Sequence, residues 1–193
     1  MSVLALSDTP ARAPVHMRDR LRAATAEAHA ALDRHMQAYD LTSRAGYRRF
    51  LAASAAALLP LEQALERSGV RELVADWEQR ARSRALLADL AHFGDSARPL
   101  TLDGVFDRER MLGTLYVLEG SRLGARLLVK LAMRSADPEV RAATAYLRHG
   151  EGRGLWPSFL SLLERESALA DEAATIAGAD AAFALFAEAA QRA

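Results

Sequence analysis

His29 stands in the segment LRAATAEAHAALD, residues 21–33, beside the apolar positions Leu32 and Met36 and one helical turn after Thr25. A neutral imidazole held on a rigid helix can ligate iron, the proximal arrangement used for heme. Arg22 lies two turns earlier on nearly the same face, where its guanidinium can reach a carboxylate. The competing reading is a half-buried histidine hydrogen-bonded to a neighbour, and for a single histidine that reading is the commoner one.

A second segment, LYVLEGSRLGAR at residues 115–126, places Gly120 and Gly124 one turn apart on one helix face, with Ser121 and Ala125 beside them. Each glycine costs a helix interior about 1 kcal/mol relative to alanine. Such a stripe, extended by Gly113, leaves backbone open to very close approach. The approaching body is either another helix or a ligand.

These residues need helices to hold them. Apolar residues recur at helical spacing from about Arg18 to residue 40. A second helix starts after Thr42 or Ser43 and runs to about Arg67, closed by Gly69, with Pro60 expected to kink or interrupt it. A third spans roughly 71–92. The stretch 93–107, holding Gly94, Pro99 and Gly104, reads as a connection. The glycine helix covers about 108–133. A short helix follows Asp137 to about Arg148, the Gly150–Gly154 loop leads to another at about 157–166, and Asp171 caps the last.

Composition agrees with a helical chain. The 193 residues suit one domain, 51% are hydrophobic, and only 11 Gly and 6 Pro interrupt the strong helix formers Ala, Leu, Arg and Glu. No strand-like alternation is found. The 25 basic and 25 acidic residues cancel, which gives no support to a nucleic-acid partner. Absence of cysteine excludes thiolate chemistry and cysteine-bound clusters. The opening MSVLALSDTP is too short in its apolar part for a secretory signal, and no apolar run reaches the ~20 residues of a membrane span, so a cytoplasmic protein without a membrane partner is expected.

Taken in order, LRAATAEAHAALD, LYVLEGSRLGARLL and GEGRGLWPSFLSLLE resemble the heme oxygenase family, in its bacterial biliverdin-producing branch, and the likeness runs along nearly the whole chain from about Arg18. The resemblance implies an all-α, single-domain heme oxygenase-like helical bundle at 17–193 behind a flexible N-terminal arm at 1–16. His29 then matches the proximal heme ligand. Gly120 and Gly124 match the distal helix that passes over the heme face, where side chains would obstruct iron-bound dioxygen. Arg22 and Tyr116 match positions that hold the heme propionates. Trp156 and Phe159 either close the pocket or serve the core. Some relatives carry an aspartate directly after the first distal glycine, where it orders water; this chain has Ser121. Proton delivery is then expected from water held by backbone groups and by Ser121 or Arg122. His16, His35, His92 and His149 receive no catalytic role.

The implied activity takes heme as both cofactor and substrate and opens it with O2 to biliverdin, carbon monoxide and ferrous iron. The chain lacks a Gly-x-Gly-x-x-Gly fingerprint, so electrons are expected from an external ferredoxin, flavodoxin or flavin reductase. Arg22 together with Tyr116 favours ring opening at the alpha meso carbon. Iron acquisition and chromophore supply to a bacterial phytochrome both fit downstream. A heme carrier or sensor without turnover is the alternative on the same scaffold, and a helical DNA-binding regulator is an alternative outside it.

Overall fold

A computed structural model describes residues 16–193; the rest of the expected N-terminal arm, residues 1–15, lies outside them. The described chain forms eleven helices and no strand. They are α1 (Met17–Ala24), α2 (Ala26–Gln37), α3 (Arg44–Arg67), α4 (Val70–Leu73), α5 (Trp77–Arg80), α6 (Ser83–His92), α7 (Arg108–Ala132), α8 (Pro138–Ala142), α9 (Ala145–Arg148), α10 (Leu155–Ser167) and α11 (Glu172–Arg192).

The centre of the bundle is α11. It packs most extensively on α7, and also on α3 and α2, burying Ala179, Ala182, Phe183 and Phe186. By length and composition alone α11 is apolar enough to cross a membrane, but here its apolar residues build the core. Two glycines set how closely α7 and α11 approach. A Cβ on Gly113 would lie 2.1 Å from the Thr175 carbonyl oxygen, and one on Gly178 would lie 2.7 Å from Arg110 Cα. No side chain larger than hydrogen fits at either position.

The expected first helix is instead two. Thr25 adopts φ −93°, ψ 7° between α1 and α2, and its hydroxyl donates to the Leu21 carbonyl at 2.8 Å. Such back-bonding by a β-branched residue bends a helix. Backbone bonds still bridge the joint, from Thr25 N to Leu21 O and from His29 N to Thr25 O, both 2.9 Å.

Pro60 does not interrupt α3, contrary to expectation. A proline inside a helix leaves the carbonyl four residues earlier without its donor. That carbonyl belongs to Ala56, and it accepts the backbone N–H of Leu100 at 2.8 Å. The connection before α7 thereby supplies the missing bond, and Pro60 itself is buried among core residues.

The expected third helix is broken into α4, α5 and α6 by side chains from elsewhere. Glu62, on α3, accepts the backbone N–H groups of Arg82 and Ser83 at 2.8 and 2.9 Å and so caps α6. Trp77 Nε1 donates to Glu66 at 3.1 Å. In the same way Asp89 accepts from the N–H groups of Ala145 and Tyr146 at 3.0 and 2.8 Å and starts α9, dividing the helix expected before Arg148. Local caps follow the sequence more directly: Ser43, Asp107, Asp137 and Asp171 each accept a backbone N–H at the start of α3, α7, α8 and α11.

Candidate active site

Burial raises the pKa of the Tyr116 phenol on α7 and the Thr25 hydroxyl at the α1–α2 joint lowers it, which places the two side chains beside one another. One turn further along each helix, on the same faces, stand His29 and Gly120, and one turn beyond Gly120 stands Gly124. Both helices rest on α11, but neither is fully covered. Helix α2 has no buried residue, and α7 beyond Gly120 exposes Ser121, Leu123, Gly124 and Leu127. Leu123 and Leu127 are 47% and 62% exposed. Helix α11, which carries Phe183, packs against both α2 and α7.

His29, on the exposed face of α2, sets its ring edge against Phe183 of α11, centroids 5.6 Å apart at 67°. Its Nδ1 lies 3.1 Å from an Asp33 carboxylate oxygen, one turn on. Nε2 is left without a partner among the described residues. A carboxylate on Nδ1 fixes the tautomer, orients the ring and raises the basicity of the other nitrogen toward a metal. Among the described residues no group of three or more His, Asp or Glu side chains is placed to hold a bare metal ion. One imidazole nitrogen suits iron whose other ligands arrive with it.

The glycine stripe divides into two jobs. Gly113 is required by helix packing, as above. A Cβ at Gly120 would meet only ring carbons of Trp156, at 3.7 Å, and one at Gly124 would meet nothing within 4 Å. No backbone lies within 4 Å of a Cβ at either position, so close helix–helix packing does not require glycine there as it does at Gly113. Gly124 in particular leaves backbone that a flat ligand can approach.

Arg18 and Arg22 both act on the Tyr116 phenol, whose pKa burial raises and these two cations lower. The kink at Thr25 separates Arg22 from the helix carrying His29. Trp156, half-buried, lies with its ring 5.9 Å from Tyr116 and borders Gly120. Phe159 is fully buried and stacks behind Trp156 at 6.0 Å. Ser121 is exposed, and its hydroxyl donates to the Leu118 carbonyl at 2.8 Å.

No protein-family model matches the chain. It is similar to a heme oxygenase of Xanthomonas campestris pv. campestris, 34% identical over 112 residues, covering 57% of this chain and 67% of that one. It is also similar to heme oxygenase PigA of Pseudomonas aeruginosa, 31% identical over 150 residues, 75% of this chain and 76% of that one. The chain belongs to the heme oxygenase family. The NO- and CO-bound heme oxygenase of Neisseria meningitidis superposes with a TM-score of 0.78 at 25% identity, over 93% of this chain and 92% of that one. The heme oxygenase of Leptospira interrogans shares the fold, with a TM-score of 0.72 at 20% identity over 93% and 100% of the two chains.

Sequence reasoning missed what holds the glycine segment of α7 in place. Glu119, 1% exposed and directly before Gly120, accepts from Arg80 Nη1 at 2.9 Å and from Arg122 Nε and Nη2 at 3.0 and 2.9 Å. Arg122 also donates to the carbonyls of Arg80, at 2.6 Å, and His149, at 3.2 Å. Its Nη1 lies 3.3 Å from His149 Nδ1. A guanidinium only donates, so that nitrogen accepts and His149 is neutral with its proton on Nε2. Burial, then the Arg122 charge, hold the His149 pKa down at about 4. Arg82 completes the cluster, donating to the Leu118 carbonyl at 3.0 Å and lying over the Tyr146 ring. The usable signal was Glu119 itself, an acid inside an apolar helix that burial permits only with a partner.

Proposed function

We propose that the facing surfaces of α2 and α7 are where this heme oxygenase cleaves heme to biliverdin, and that His29 Nε2 would hold the heme iron. The observation that carries this reading is the pairing of an Asp33-oriented imidazole with the uncovered backbone of Gly120 and Gly124. Bound heme supplies the iron at which O2 is activated. The chain's own groups orient and shape. Asp33 holds the His29 ring and strengthens its nitrogen as a donor. Gly120 and Gly124 would give a bound ring room that a side chain there would take.

Arg22, with Tyr116, holds a propionate at one end of these surfaces, as a charged and a neutral donor respectively. Trp156, backed by Phe159, walls the side next to Gly120. Ser121 and the backbone around it order the water that delivers protons. Arg122 is excluded from that task, because its donors are taken by Glu119, Arg80 and His149. Electrons come from an external ferredoxin, flavodoxin or flavin reductase. Arg22 and Tyr116 would set the seating of the ring and so favour the alpha meso position; a beta or delta isomer as the main product would overturn that part.

Titration with hemin, followed by ascorbate in air with catalase present, tests the reading. A stoichiometric Soret band decaying to a biliverdin spectrum is expected, and His29→Ala loses the axial signature of that band. Heme that binds and survives reduction would instead indicate a carrier.

A further inference from the structure

Trp156 reaches Gly120 from the first turn of α10, and the chain before that turn does little to orient it. It arrives through Gly150, Gly152 and Gly154, all at positive φ, and the N-cap residue, Gly154, has no side chain to cap with. Phe159 and Leu163 seat the body of α10 in the core. The first turn is gripped from α5. Arg80 Nη1 donates to the Leu155 carbonyl at 3.0 Å and Nη2 to Ser158 Oγ at 2.6 Å, so the grip closes on both sides of Trp156. The Ser158 hydroxyl in turn donates to the Leu155 carbonyl at 3.0 Å.

The same guanidinium holds α7. Nη1 also donates to Glu119 Oε2 at 2.9 Å, while Nε donates to Asp76 at 2.7 Å and fixes the fork on its own helix. Arg80 is 4% exposed, so these bonds form away from solvent. One rigid planar group therefore sets the separation between the residue before Gly120 and the turn that carries Trp156. At that separation the Trp156 ring carbons lie 3.7 Å from where a Gly120 Cβ would stand, and the ring lies 5.9 Å from that of Tyr116.

We propose that Arg80 is a positioning residue for heme cleavage, fixing Trp156 against Gly120 and, through Trp156, selecting how the ring is seated in its own plane. The proposal rests on the heme-cleaving reading above. Trp156 is the wall next to Gly120, so the place of its indole decides which in-plane orientation of the ring finds room. Lysine cannot substitute: its ammonium is a point charge on a flexible stem, able to pair with Glu119 but not to span Leu155 and Ser158 as well.

Arg80→Lys is the principal variant. Ser158→Ala removes one arm on α10 while leaving the Arg80–Glu119 pair in place, and decides the matter if Arg80→Lys fails to fold. In the heme-free protein Trp77 is 2% exposed and shielded from acrylamide, so quenching of tryptophan fluorescence reads Trp156. Both variants should raise the quenching constant, Arg80→Lys by about twofold. In the ferric heme complex proton NMR reads the ratio of the two in-plane seatings, and Arg80→Lys should shift it by at least about threefold. That shift should vanish when Trp156 is already alanine, because the two residues act on one contact. An unchanged quenching constant, an unchanged seating ratio, or a shift that persists in full in the Trp156→Ala background would each overturn the role. A wild-type protein that forms no Soret band would overturn the heme reading instead, while the quenching of heme-free protein still reads the hold on Trp156.

Discussion

Arg80 Nη1 donates to Glu119 Oε2 at 2.9 Å, both side chains being almost fully buried, and Glu119 is the residue before Gly120. The pair joins the short helix α5 to the middle of α7. Removing one partner strands the other charge in the core, which typically costs about 3–5 kcal/mol. Glu119→Ala should therefore lower stability by about 3 kcal/mol, seen in denaturant unfolding of the heme-free protein. It should also broaden the Soret band, because three guanidiniums would repel one another beneath the glycine segment. An unchanged unfolding midpoint would show that the cluster does not anchor α7.

Three glycines on one helix should respond to alanine in different ways. Gly113→Ala forces a Cβ into the α11 backbone, and overpacking of this kind costs about 1–3 kcal/mol or more. Gly124→Ala meets open space and should stabilise the heme-free protein by up to about 1 kcal/mol, through helix propensity alone. The same change should slow biliverdin formation. Gly120→Ala, facing only Trp156 at 3.7 Å, should be near neutral for stability and also slow. Thermal melts set beside single-turnover rates check the contrast. A Gly124→Ala variant that gains stability and keeps its full rate would remove that residue from the site.

Asp33 lies outside the sequence-based set of site residues, yet its carboxylate fixes His29 Nδ1. Neutralising it should leave a weaker axial donor, which favours ferrous over ferric iron. Asp33→Asn is expected to raise the midpoint potential of the bound heme on the order of tens of millivolts, a modest shift because the pair is exposed. Spectroelectrochemistry reads this directly, and a potential that falls or stays fixed would refute the role.

Much of this arrangement was legible in the chain before any coordinates. The caps at Ser43 and Asp171, and the span of α7, follow from local chemistry that a single segment contains. What was not legible came from partners distant in sequence. Pro60 predicts a break only if Ala56 finds no donor, and the donor is Leu100, on another element. The breaks between α5 and α6 and before α9 depend on Glu62 and Asp89, which no window around those breaks includes. In the site, His29 and the two glycines were visible as spacing. The division of the stripe between Gly113 and Gly120 was not, because it depends on where α11 lies.

His149 ties the cluster to pH. Its pKa in the folded protein is held at about 4, against an ordinary value of 6.5, by burial first and by Arg122 second. The folded state therefore prefers the neutral ring, and between those two values the unfolded chain binds more protons. The stability contributed is fully present above about 6.5 and is lost as pH falls toward about 4. After allowance for partial exposure, the effect is on the order of 1–2 kcal/mol. His149→Gln, which retains an acceptor for Arg122, should flatten this part of the profile. Urea unfolding at pH 7 and pH 5 should show the wild type losing more stability than the variant. Equal losses in the two proteins would mean that other groups carry the acid sensitivity.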